Sequence, residues 1–283
     1  MRRPLLALLT TLVLAACGTS AEGVDTPAAT GVASPGPTAA PSSRPPKLPG
    51  GVVALGDSIT RGMNACLVRF GDCPEASWST GTFGGSHAQL VGQAGTNLAE
   101  SGARVSDLAD QVANAVPLKP AYVTVLIGAN DACRNTTGQM TSAADFRRRL
   151  DTALTRLKQG APGAKVLMVS IPDLQQLWQI GRADSTAVSR WDLGLCQAML
   201  ANPASDAPAD QARRKTVRDR VIAYNAEIAG ACKAYGSACK TDGGAVFRFA
   251  FKPEHVSAID FFHPSAAGQA ELARVTNASG YQW

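Results

Sequence analysis

Three short runs of aliphatic and β-branched residues, 52–55, 122–127 and 165–170, constrain this chain more than any other feature. Each has the length of a strand, is followed by turn-forming residues, and reads as a nearly continuous apolar stretch. A strand of that kind carries apolar side chains on both faces, so both faces must be covered. The sequence predicts helices over 105–116, 144–159, 209–235 and 265–278. Apolar strands alternating with helices predict an α/β chain, a three-layer α/β/α sandwich around a mostly parallel central sheet. In such a sheet the chemistry belongs at the carboxyl ends of the strands. The 283 residues are 45% hydrophobic and 17% charged. That is apolar enough to bury such a core and excludes a disordered or charge-driven fibrous chain.

The first residues carry different information. Arg2 and Arg3 supply a positive start, 5–14 is apolar, and Leu14-Ala15-Ala16-Cys17 closes with small residues before a cysteine. This is the pattern of an export signal over 1–16, too short in its apolar part to span a bilayer comfortably. Its ending resembles the lipobox of bacterial lipoproteins. The resemblance implies a diacylglyceryl group on Cys17 and cleavage just before it, with two acyl chains giving a durable anchor; simple secretion is the alternative.

Residues 18–50 hold seven of the seventeen prolines and no aromatic residue. Such a segment cannot offset its conformational entropy by burial, so 17–50 reads as a lipidated, disordered tether. At about 3 Å per residue it would reach up to roughly 90 Å from a membrane. The folded domain is then 51–283. Once Arg2 and Arg3 leave, the formal charge falls from +5 to +3, too small and scattered to imply a nucleic-acid partner.

Six further cysteines remain: Cys66, Cys73, Cys133, Cys196, Cys232 and Cys239. An even count in an exported chain favours disulfides, with fifteen pairings open. Short spacings suggest Cys66–Cys73 and Cys232–Cys239, which leaves Cys133–Cys196. A zinc site is disfavoured, because the chain has no Cys-x-x-Cys pair and His87, His255 and His263 are not spaced as co-ligands.

The first apolar run leads directly into Gly56-Asp57-Ser58-Ile59-Thr60, the second into Gly128-Ala129-Asn130-Asp131, and Asp260-Phe261-Phe262-His263 precedes a predicted helix. A nucleophilic serine needs a base, the base needs an orienting acid, and the oxyanion needs donors. Each requirement has a candidate. With Asn97-Leu98-Ala99-Glu100-Ser101-Gly102, these blocks resemble the SGNH, or GDSL, serine ester hydrolases, in that family's order and over nearly the whole domain. Ile59 stands where the family usually has leucine. The resemblance implies an SGNH-type, flavodoxin-like sheet with Ser58 as nucleophile, His263 as general base and Asp260 as its orienting acid. It also implies an oxyanion hole from the amides of Ser58 and Gly102 and the side chain of Asn130. Asp57 and Asp131 read as structural acids that hold the two turns.

Ser77-Trp78-Ser79-x-Gly81, Cys133, and Phe262-His263-Pro264-Ser265 with Gly268 resemble the phospholipase B-like branch of that family. That resemblance implies hydrolysis of acyl esters, phospholipids among them. The long connection 173–208 carries Leu177, Trp178, Ile180, Trp191, Leu193 and Leu195, and long connections of this kind often form lids or binding loops. It is read as part of an acyl-binding wall tied down through Cys196, with Trp78, Trp178 and Trp191 as substrate contacts. His87 and His255 read as satisfied histidines, and Arg213, Arg214, Lys215, Arg218 and Arg220 as the solvated face of a helix.

The expected activity is extracytoplasmic cleavage of carboxylic esters, small or lipid, by a monomer held to the membrane through Cys17. No cofactor or metal is expected, because the glycines of 81–85 lack the spacing and strand context of a phosphate-cradling loop. A deacetylase acting on cell-wall or glycan esters and a non-catalytic binding lipoprotein are the alternatives.

Overall fold

The structure is a computed structural model that describes residues 50–281. The export signal, Cys17 and the tether up to residue 49 lie outside the described residues. In chain order the helices and strands begin with β1 (Val52–Gly56), α1 (Ser58–Arg61), α2 (His87–Leu90), β2 (Gly95–Asn97), α3 (Leu108–Ala115) and β3 (Tyr122–Leu126). They continue with α4 (Ala129–Ala132), α5 (Ala143–Gly160), β4 (Lys165–Met168), α6 (Leu174–Gly181), α7 (Ser185–Trp191) and α8 (Gln197–Leu200). The chain ends through α9 (Pro208–Tyr235), β5 (Cys239–Thr241), α10 (Ala245–Arg248) and α11 (Ala266–Ser279). The five strands pair in parallel in the order β2-β1-β3-β4-β5. The order reverses between β1 and β3, and a doubly wound sheet opens a crevice for ligands at such a point.

The three apolar runs became β1, β3 and β4, and every residue of β1 and β3 is buried. β2 and β5, which the sequence did not reveal, are three-residue edge strands without an apolar run. Their positions come from pairing with β1 and β4 rather than from patterning. On α5, Ser142 caps the first turn by accepting from the Asp145 amide, and Phe146, Leu150, Ala153, Leu154 and Leu157 form the buried stripe. α5 packs against α3 and α9, and α9 covers β4 and β5. On one face of β3, Tyr122 and Thr124 meet His87 and Ser79, and Thr276 of α11 completes the layer.

The cysteines pair as Cys66–Cys73, Cys133–Cys196 and Cys232–Cys239. The 173–208 connection is not an open loop. It folds into α6, α7 and α8, and the Cys196 disulfide fastens it to the end of α4. The basic run of α9 also differs from its sequence reading. Arg214 is buried with its guanidinium 4.2 Å over the Trp178 ring, and Arg218 pairs with Asp173 at 2.8 Å. Arg213 donates to the carbonyls of Gln197, Ala198 and Ala201. These arginines bind the 173–208 segment inward, whereas Lys215 and its partner Asp219 are solvated. Among the described residues no helix is long and apolar enough to cross a membrane.

His87 sits in the core, with Nδ1 2.9 Å from the Tyr122 hydroxyl and Nε2 2.8 Å from Thr276 Oγ1. Burial pulls its pKa down to about 3. The unfolded chain binds the extra proton between that value and about 6.5, so this contribution to stability is complete above pH ~6.5 and is lost as pH falls. His87→Gln keeps a donor and an acceptor but does not titrate. Between pH ~6.5 and ~4.5 the wild type should lose about 2–3 kcal/mol more than the variant in urea unfolding.

Candidate active site

The Gly56-Asp57-Ser58 block begins where β1 runs out. Gly56 has φ +143°, and a Cβ there would lie 2.2 Å from the carbonyl oxygen of Leu126 on β3. Only glycine lets the two backbones approach so closely. Gln111 of α3 grips the same residue twice: its Oε1 accepts from the Gly56 amide and its Nε2 donates to the Gly56 carbonyl, both at 2.8 Å. The chain then turns into α1. Asp57 caps that helix by accepting from the Ile59 amide at 3.0 Å, which leaves Ser58 as its first residue.

Ser58 Oγ lies 2.9 Å from His263 Nε2, and His263 Nδ1 lies 2.6 Å from Asp260 Oδ2. Three residues 205 positions apart at their extremes therefore form one hydrogen-bonded line. Asp260 Oδ1 accepts from the amides of Phe262 and His263 at 2.9 and 3.0 Å, so the 260–263 segment folds around its own carboxylate. Burial pushes the Asp260 carboxyl up. The imidazole of His263, the amide of Asn64 and the backbone outweigh it and leave the pKa below the usual carboxylate value. Asp260 thus stays ionised at neutral pH and favours the His263 tautomer with its proton on Nδ1.

Asn130 stands on the first turn after β3 and donates one Nδ2 proton to the Ala103 carbonyl at 2.9 Å, keeping a second donor. Gly102 has φ +87° with nothing within 4 Å of where a Cβ would stand, so conformation and not space selects glycine. Among the described residues, no acceptor takes the amide protons of Ser58 or Gly102.

Asp57 and Asp131 are buried beneath these turns. Asp131 accepts from the Val105 amide at 2.9 Å and the Thr141 hydroxyl at 2.7 Å, which joins the Asn130 turn to the loop that follows Gly102. Burial, reinforced by the nearby Asp131 charge, pushes Asp57 up to about 7 against the opposing Ile59 amide. Burial raises Asp131 as well.

Beside His263 an apolar pocket opens, walled by Ile59, Leu177, Ile180, Phe251, Val256 and Phe262. The 173–208 segment does form a wall, but not with its tryptophans. Trp178 is buried and donates to the Pro203 carbonyl at 2.8 Å. Trp191 is fully buried and donates to the Phe261 carbonyl at 2.9 Å, which steadies the segment carrying His263 where Phe261 takes the unusual φ of +54°. Trp78 is 1% exposed, with its indole N–H on Thr60 Oγ1. The three residues read from the sequence as substrate contacts are thus taken up by core burial. His255 lines the pocket and accepts from the Lys252 amide.

Three supporting residues have no motif. Asn64 sits at φ +55° and donates to Asp260 Oδ2 at 2.6 Å. Gln269 of α11 holds the Trp78 amide and the Ile59 carbonyl. Gln111 carries a usable sequence signal, a polar residue on the face of α3 where Leu108, Val112 and Ala115 are buried. Gln111→Leu fills similar space but strands the buried N–H of Gly56, while the Gly56 carbonyl keeps the Glu100 amide at 3.1 Å. We expect about 1–3 kcal/mol of lost stability in denaturant titration, with lower turnover in the fraction that stays folded.

Comparison with known proteins agrees with this architecture. The GDSL-like lipase/acylhydrolase family matches residues 54–271. Among curated proteins, none matches the chain. An extracellular lipase from Streptomyces rimosus superposes with a TM-score of 0.51 at 20% identity, over 81% of this chain and 99% of that one. A phospholipase A1 from Streptomyces albidoflavus gives 0.50 at 21% identity, over 82% and 100%. A catalytic mutant of an acetylxylan esterase from Geobacillus stearothermophilus gives 0.51 at 16%, over 82% and 94%. At these identities the likeness is one of fold, whereas the family match spans most of the domain: the chain belongs to the GDSL-like lipase/acylhydrolase family of hydrolases.

Proposed function

We propose that the protein is an extracytoplasmic serine ester hydrolase that works through an acyl-enzyme on Ser58. The observation that carries this reading is the continuous hydrogen-bonded line from Ser58 Oγ through His263 to Asp260. Ser58 Oγ attacks the ester carbonyl while His263 Nε2 takes its proton. Asp260 holds the ring and stabilises the imidazolium that forms. The amides of Ser58 and Gly102 and the free Asn130 Nδ2 proton receive the oxyanion. His263 then protonates the departing alcohol, water repeats the sequence on the acyl-Ser58 ester, and the acid leaves. The apolar pocket beside His263 suits an acyl chain, with Leu177 and Ile180 as the residues that set its depth.

Three disulfides favour an oxidising compartment, in keeping with the export signal and Cys17 lipidation read from the sequence. The preferred acyl length follows from the same test as the chemistry.

Hydrolysis of p-nitrophenyl esters from acetate to palmitate checks the reading. Ser58→Ala should abolish turnover while the fold persists, and equal rates in the two proteins would refute the mechanism. Asn130→Ala should lower kcat by about 10²–10³ with little change in KM, because the donor acts on charge that develops only in the transition state. Leu177→Ala and Ile180→Ala should move the chain-length optimum toward longer acyl groups. Discrimination between neighbouring lengths should change by about tenfold, as expected for a methylene in a hydrophobic pocket.

A further inference from the structure

Eight residues after the nucleophile, the chain makes a loop closed by Cys66–Cys73, and its tip is apolar and bare. Leu67 is 76% exposed, Val68 98% and Phe70 77%. An isolated exposed leucine needs no explanation, but three large apolar side chains within four positions, held out by a covalent closure, do. The apolar cluster beneath the same loop is small: Ala65, Cys73 and Ala76 are buried, with Cys66 against them.

The feet of the loop stand on the active site. Asn64, just before the first cysteine, donates to Asp260 Oδ2 at 2.6 Å. Asp72, just before the second, accepts from Ser101 Oγ at 2.6 Å, and Ser101 adjoins Gly102. Between the feet, Asn64 and Gly71 close the neck by two hydrogen bonds of 2.8 Å, from the Asn64 amide to the Gly71 carbonyl and from the Gly71 amide to Asn64 Oδ1. Val68 is four residues from Asn64, so an extended chain carries it at most about 14 Å from the neck. The tip therefore rises from the rim between the acid of the catalytic line and the oxyanion block.

We propose that this loop is a membrane-docking tip that inserts into a lipid surface and brings the site to esters held there. The proposal rests on the ester-hydrolase reading and narrows it to interfacial substrates. A convex tip with a nearly fully exposed valine at its apex fits a deformable lipid surface rather than a preformed protein groove. Its one cation, Arg69, is half exposed beside Glu75 at 3.0 Å and can meet lipid phosphate. The neck bonds and the disulfide fix the loop before contact, so insertion adds little ordering cost.

The test uses the full chain with vesicles of phosphatidylcholine containing a minor share of phosphatidylglycerol. In Val68→Trp, the added tryptophan emission, read against the unsubstituted chain, should shift to the blue and be quenched by brominated phosphatidylcholine. Trp78, Trp178 and Trp191, which are buried, and Trp283 give a background that the unsubstituted chain supplies for subtraction. The triple variant Leu67→Ser, Val68→Ser, Phe70→Ser should hydrolyse dissolved p-nitrophenyl butyrate as the parent does. On a long-chain p-nitrophenyl ester carried in the vesicles it should fall by about tenfold or more.

Equal rates for triple variant and parent on both ester forms, or emission at position 68 that neither shifts nor is quenched, would overturn the docking role. So would loss of a concentration-dependent dimer in the triple variant by sedimentation, which would make the tip a contact between copies. A parent chain that hydrolyses neither ester form would sink the esterase reading, and the quenching at position 68 would still decide the docking.

Discussion

Everything at the site hangs on the backbone crossing where β1 passes β3 at Gly56. The Leu126 carbonyl occupies the space a side chain would need, so the strand can end there only as glycine. Gln111 bonds both backbone groups of that residue in the interior and is the partner of its N–H, which would be costly to leave unpaired. With the strand end clamped in this way, the Asp57 cap leaves Ser58 as the first residue of α1 at the topological switch point of the sheet. The rest of the site is arranged around that serine. The 260–263 segment arrives from the far end of the chain, and Asn130 comes from the neighbouring strand.

Most of this was legible in the residues, for a physical reason: parts that the sheet or the chemistry constrains carry a local signature. β1, β3 and β4 must be apolar on both faces, and their runs stand out. Gly56-Asp57-Ser58, Gly128-x-Asn130-Asp131 and Asp260-x-x-His263 carry a turn and a site side chain together, so short blocks identify them. The edge strands β2 and β5 have no such demand, and their pairing partners alone make them strands.

The misreadings share one cause, which is that residue type does not reveal direction. Trp78, Trp178 and Trp191 carry the area and the N–H expected of ligand contacts, but each spends both on the fold, with its indole N–H on Thr60, Pro203 and Phe261 respectively. The pocket is walled instead by smaller neighbours, Leu177 and Ile180. The arginines of α9 resemble a solvated face by composition, yet Arg214 lies over Trp178 and Arg213 gathers carbonyls at the end of α8. Asn64 could not be found from spacing, because an asparagine in the left-handed region has no pattern until the fold brings Asp260 against it.

The central claim is that Ser58 is a nucleophile activated by His263, and covalent labelling addresses it most directly. A fluorophosphonate reacts with an activated serine and not with an ordinary hydroxyl in a pocket. The folded protein should take up one label per chain, mapped by peptide mass to Ser58, and His263→Ala should suppress the labelling while the fold is kept. A folded protein that takes no label, or takes it at another serine, would contradict the account.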